Sequence, residues 1–263
     1  MTMNERTMQQ IIAFGERYRR ELLADVSKEY LETDWYRGVS LFLACSFYQG
    51  RRDEVSERVA WGAMSVLEGR FKNTDFTALT HCDFEALTSD LSTVIGRGKV
   101  GKARDVQMIV GILKFVAQLP EENFTRYSVA EIRKGNVRKL YEDLMGIMQI
   151  GPKIASFYLR DLVDIYDLES ALRAVDLGFL QPIDVWVRRV ALKTGIIADE
   201  KLSETTIRER IVGACRAHEV SAFRFNQGAW YLGKHAFEIL IDHLDELHLP
   251  EDQPTALPVQ VKG

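Results

Sequence analysis

At 263 residues with 46% hydrophobic side chains, the chain can bury a substantial core as one large domain or two closely packed lobes. Its three cysteines, Cys45, Cys82 and Cys215, lie too far apart for zinc or iron–sulfur ligand spacing and do not form a disulfide framework. A net charge of −4 excludes a surface that is basic throughout, so any contact with nucleic acid must come from local clusters.

Apolar residues recur every three or four positions, which predicts helices over 11–23, 39–48, 55–67, 84–94, 106–119, 137–147, 154–162, 185–193, 207–217 and 225–247. Alternating strand patterns are nearly absent, so the expected fold class is all-α, about ten helices. Thr33 and Asp34 are placed to cap one helix, and Ser203 with Thr206 another. Gly69, Gly195 and Gly233 stand where helices could end or pack closely. The expected domain is 1–249, followed by a flexible, proline-rich tail over 250–263. No run is long and apolar enough for a bilayer span, and the first residues lack the pattern of a secretion signal. A cytoplasmic monomer, with no membrane partner, is expected.

Charge is unevenly spread. Arg97, Lys99, Lys102 and Arg104 form one basic cluster, and Arg133, Lys134, Arg138 and Lys139 form another. Acids gather at Asp161, Asp164, Asp167, Glu169 and Asp176. Between the second basic cluster and these acids lies Leu144-Met145-Gly146-Ile147-Met148-Gln149-Ile150-Gly151-Pro152-Lys153. A helix, a tight connection and a second helix opening on proline fit this segment. The exposed amides of such a connection suit a phosphate and read no base. Further on, Asp184 follows Pro182-Ile183 and precedes Val185-Trp186-Val187, as a helix N-cap would.

The segment Gln149-Ile150-Gly151-Pro152-Lys153-Ile154-Ala155-Ser156-Phe157-Tyr158-Leu159-Arg160, taken with Pro182-Ile183-Asp184-Val185-Trp186-Val187-Arg188-Arg189, resembles the helix-hairpin-helix (HhH-GPD) superfamily of DNA glycosylases. Their shared element is a hairpin followed by a Gly/Pro-rich loop and a catalytic aspartate. The likeness extends more loosely from about Tyr36 to Gly195, where Ser46-Phe47-Tyr48-Gln49 and Gly101-Lys102-Ala103-Arg104 resemble family helix starts. Asn226-Gln227-Gly228-Ala229-Trp230 is similar to a C-terminal helix of the archaeal 8-oxoguanine branch. Gln149 replaces the usual first glycine of the hairpin. The long separation between Lys153 and Asp184 is similar to the archaeal branch, and no four-cysteine cluster motif follows.

The resemblance implies a two-lobed helical fold with a cleft and a base-excision repair glycosylase removing an oxidised purine, 8-oxoguanine foremost. It also implies an AP lyase activity acting on double-stranded DNA in a nucleoid-associated protein; no cofactor and no metal-ligating residues are expected. Lys153 would be the nucleophile and Asp184 the assisting carboxylate. The amine attacks the anomeric carbon of a flipped nucleotide, the base leaves, and the resulting imine permits β-elimination on the 3′ side. Gln149, Gly151, Lys102, Arg104 and Arg188 are expected to contact DNA, and Gln49, Asn226, Gln227 and Trp230 to line the base pocket. The alternatives are a monofunctional glycosylase for another damaged base, with Asp184 positioning water, and a non-catalytic hairpin protein that binds the DNA backbone.

Overall fold

Each apolar stripe found in the sequence overlaps an α-helix, although 11–23 ends on a π-helical turn and 225–247 passes the last described residue, and no strand occurs among the residues that the computed structural model describes, 5–48, 52–95 and 103–244. The protein is all-α. The helices are α1 (Glu5–Tyr18), α2 (Lys28–Glu32), α3 (Trp35–Phe47), α4 (Asp53–Phe71), α5 (Phe76–Thr80), α6 (Phe84–Ile95), α7 (Ala103–Val116), α8 (Phe124–Arg133), α9 (Val137–Met145), α10 (Pro152–Tyr166), α11 (Val185–Lys193), α12 (Glu204–Ala217) and α13 (Ala222–Leu240). A π-helical turn, Arg19–Leu23, continues α1, and short 3-10 turns occur at Glu169–Ala171, Leu177–Leu180 and Ile241–His243. The proposed tail lies outside the described residues. No helix among those described is long and apolar enough to cross a membrane.

Local chemistry sets most boundaries. Asp34 caps α3 by accepting from the Arg37 amide at 2.7 Å, and Ser203 caps α12 by accepting from the Thr206 amide at 3.1 Å. Thr33 instead closes α2. Gly195 follows α11 at φ +76, a backbone conformation open to glycine. Gly69 neither ends a helix nor packs closely, since it lies inside α4 with no atom within 4 Å of a β-carbon built on it.

Two sets of contacts organise the core. Helix α3, with Val39, Phe42 and Leu43 fully buried, packs against α2, α4, α7, α8 and α10, while α4, α6 and α7 pack in sequence. The first and last long helices, α1 and α13, form the most extensive pairing, and α13 also covers α11 and α12. Their close approach requires glycine. A β-carbon on Gly15 would lie 2.5 Å from the Arg224 carbonyl oxygen, and one on Gly228 would penetrate the Ile11 carbonyl. Helix α10 joins the two sets. It is buried from Ile154 to Tyr166 except at part-exposed Phe157, touches α3, and is bonded to Tyr18 of α1 and to Asn226 and Arg224 of α13.

The acidic run over 161–176 is split: Asp167 and Glu169 are exposed, whereas the other three acids are buried. Asp161, Asp164 and Asp176 are at most 1% exposed because each has an arginine partner: Arg160 at 2.9 Å, Arg224 at 3.2 Å and Arg173 at 2.9 Å respectively. Only Arg160–Asp161 is buried on both sides, and breaking such a pair costs on the order of 3–5 kcal/mol. Burial pushes the Asp164 carboxyl up from its ordinary range, with Arg224 opposing the shift.

Candidate active site

The connection between α9 and α10 is held by its own backbone. The Gly146 amide donates to Glu142 O at 3.0 Å, Ile147 to Leu144 O at 3.1 Å, and Ile150 to Ile147 O at 3.0 Å. Exposed Gln149 sits at φ +68, in the left-handed region that favours glycine. Gln149 thus adopts a backbone conformation more usual for glycine. Gly151 is extended, at φ −105 and ψ 177, and no atom lies within 4 Å of a β-carbon built there. Its contribution is an open approach to the helix start rather than an unusual dihedral. Pro152 occupies the first helical position, where its missing N–H costs nothing. The amides of Gly151, Lys153 and Ile154 donate to no acceptor among the described residues.

Lys153 is part-exposed in the first turn of α10 and makes no hydrogen bond or ion pair among the described residues. Many basic side chains of the chain are engaged by contrast. Lys134 bonds Glu131 at 2.7 Å, Arg138 bonds Glu142 at 2.8 Å, and Lys139 bonds Asp143 at 2.7 Å. Much of the second basic cluster is therefore neutralised by acids three or four residues away. One turn beyond Lys153 on the same face is Phe157, whose ring lies 6.4 Å from that of Trp230, edge to face.

Asp184 is the N-cap of α11. Its Oδ1 accepts from the amides of both Trp186 and Val187 at 2.9 Å, while Oδ2 accepts no hydrogen bond among the described residues. One oxygen fixes the carboxylate and the other is available for chemistry. Helix α13 supports this cap from behind. A β-carbon on Gly233 would come within 2.6 Å of Trp186 Cβ, so glycine lets α13 lie directly against the first turn of α11.

A buried polar network runs from α10 to the segment before Asp184. Arg160, wholly buried, donates from Nε to Asp161 Oδ1 at 2.9 Å, from Nη2 to Tyr18 Oη at 2.6 Å and from Nη1 to Asn226 Oδ1 at 2.9 Å. Tyr18 Oη donates to Asp161 Oδ2 at 2.6 Å. Asn226 Nδ2 then donates to the Pro182 carbonyl at 3.2 Å. Burial opposes the charge on Arg160 most strongly, but its partners together, Asp161 foremost, outweigh burial and hold the guanidinium protonated. Burial likewise pushes the Tyr18 phenol up.

The other expected site residues divide by surroundings. Asn226 and Gln227 are fully buried, and Gln227 Nε2 donates to Asp161 Oδ1 at 3.3 Å and Asp164 Oδ2 at 3.1 Å. Both therefore serve the interior between α1, α10 and α13 rather than a base pocket, because a ligand could not reach them. Trp230 is part-exposed, packs edge to face on Tyr18 at 5.6 Å, and has Lys234 Nζ 5.0 Å above its ring. Arg188 is tied to the following loop through the Glu200 carbonyl and the Leu202 carbonyl, the latter at 2.8 Å, which removes Nη1 from service as a phosphate contact. Arg104 is exposed in the first turn of α7. Gln49 and Lys102, with Arg97 and Lys99, lie outside the described residues.

Phe157 and Arg160 lie on the Lys153 side of α10 without a motif of their own. Their signal was spacing, since they follow Lys153 by one turn and two turns of the same helix. Among the described residues, no group of three or more His, Cys, Asp or Glu side chains is placed to hold a metal ion. The three cysteines are unpaired, and burial pushes the Cys215 thiol up to about 12. No family model matches the chain, and no curated protein or solved structure matches it either.

Proposed function

We propose that the protein is a two-lobed helix-hairpin-helix DNA glycosylase that excises an oxidised purine, 8-oxoguanine foremost, and cleaves the resulting site through Lys153. The observation that carries this reading is an unpaired lysine in the first turn of the second hairpin helix, together with Asp184 anchored by one oxygen at a later helix start. On this reading one lobe comprises α3 to α8, and the other comprises α1 and α9 to α13.

Lys153 Nζ, once deprotonated, attacks C1′ of the flipped nucleotide as the bond to the base breaks. Asp184 Oδ2 takes a proton from the attacking amine or stabilises positive charge growing on the sugar. Ring opening gives an imine, which acidifies the neighbouring C2′, and loss of that proton expels the 3′ phosphate. Phe157 and Trp230 offer aromatic surface for a purine beside the amine, and stacking of this kind is worth about 1–3 kcal/mol per base. The unpaired amides of Gly151, Lys153 and Ile154 suit a backbone phosphate.

Borohydride reduction during reaction with an 8-oxoguanine duplex tests the proposal. A covalent complex that forms with the native chain and not with Lys153→Gln supports it. Base release without trapping gives a monofunctional glycosylase. Salt-sensitive duplex binding with no base release from 8-oxoguanine, uracil or alkylated-purine substrates overturns it in favour of a non-catalytic DNA-binding protein.

A further inference from the structure

We infer that Asn226, held by Arg160, is a positioning residue that fixes the backbone leading into Asp184 relative to the helix that begins at Lys153, an inference that rests on the glycosylase and lyase reading of that pair. Lys153 and Arg160 are seven residues apart on α10, so both project from the same side of the helix two turns apart. Arg160 Nη1 reaches Asn226 Oδ1 at 2.9 Å, and Asn226 Nδ2 reaches the Pro182 carbonyl at 3.2 Å, two residues before Asp184. Among the described residues this is the sole hydrogen bond from 181–184 to α1, α10 or α13; the remaining bonds of that stretch are local.

The stretch needs such a tether. Gln181, Pro182 and Ile183 belong to no helix, and Pro182 has no amide to offer, so its carbonyl is the available handle. The other end of the tether is rigid. Arg160 and Asn226 are 0% exposed, Asp161 and Tyr18 are 1% exposed, and the guanidinium is fixed by both Asp161 and Tyr18 Oη. Asn226 also bridges with both ends of its amide, accepting from the guanidinium and donating to the carbonyl. Asparagine is required for that polarity, because aspartate could keep the first bond and would face the carbonyl with a second oxygen.

The test uses the full chain with Asn226→Asp, and Asn226→Ala as a second variant that removes the donor without adding charge. Amide exchange is measured at Trp186 and Val187, whose N–H groups report whether the Asp184 carboxylate stays in place. Single-turnover trapping and duplex affinity are measured alongside. Exchange is expected to accelerate at those two amides while α4 and α6 are unchanged. The trapping rate should fall about 10- to 100-fold, the scale of misplacing a reacting group by about 1 Å, with duplex affinity within about twofold. Unchanged exchange in both variants overturns the tether. Accelerated exchange with native trapping rates overturns its role in positioning, as does a loss of protection spread across the whole chain. A native chain that releases no base overturns the functional reading itself, a result separable from all of these because it requires no variant.

Discussion

Asp184 is both a helix cap and a proposed catalytic carboxylate, and two substitutions separate the roles. Asp184→Ala removes both 2.9 Å bonds from the Trp186 and Val187 amides. Loss of an N-cap costs about 0.5–2 kcal/mol. The site is part-exposed, so water can satisfy the freed amides, and the expected loss is about 1.5 kcal/mol rather than the penalty of two unsatisfied buried donors. Asp184→Asn keeps a side-chain oxygen of the same reach. It forfeits only the attraction of a negative charge for the helix N-terminus, about 0.3–1 kcal/mol. Urea denaturation should therefore rank the native chain slightly above Asp184→Asn and clearly above Asp184→Ala, while single-turnover base release should collapse in both variants. Native-like turnover by Asp184→Asn would refute the chemical role and leave the aspartate as a cap alone. Equal stability of Asp184→Ala and the native chain would refute the cap energetics.

Gly228→Ala should destabilise by about 2–4 kcal/mol, because the overpacking cost of displacing α1 exceeds the roughly 1 kcal/mol that alanine gains in a helix; a raised denaturation midpoint would contradict the α1–α13 crossing. Gln149→Gly should stabilise by about 0.5 kcal/mol, since relief of the left-handed conformation slightly exceeds the entropy glycine adds to the unfolded chain, and calorimetry showing a clear loss would contradict the φ assigned to Gln149. Burial pushes the Asp176 carboxyl up, but the side chain and amide of Arg173 outweigh it and hold it below its ordinary range. The stability this supplies is present above the ordinary carboxylate value and lost as pH falls through the lowered one. The gap in melting temperature between the native chain and Asp176→Asn should accordingly narrow from about pH 6 to about pH 3, and a constant gap would contradict the pairing.

The all-α class was legible because amphipathic helices write their period into the sequence. Helices α2 and α5, five residues each, are too short to display one. Helix α8 escaped although Asn123 caps it, because Thr125, Ser128 and Glu131 are buried polar residues that interrupt its apolar stripe. Partnerships across long stretches of chain were illegible for a related reason. Nothing local distinguishes buried Asp161 and Asp164 from solvated acids, since Tyr18, Arg224 and Gln227 meet them only after α1 and α13 pack around α10. The same packing turns Asn226 and Gln227 inward. The punctuation around Lys153 and Asp184, a Gly-Pro in one case and a capping aspartate in the other, marks both as helix starts, while their catalytic assignment comes from the paired resemblance and not from those local signals.

The most direct test is trapping on an 8-oxoguanine duplex by the native chain and Lys153→Gln, with denaturation curves confirming that both are folded. The proposal predicts a borohydride-stable protein–DNA adduct whose modified residue, identified by peptide mass, is Lys153, and no adduct from the variant. An adduct at a different lysine, or an equal yield from folded Lys153→Gln, would contradict it.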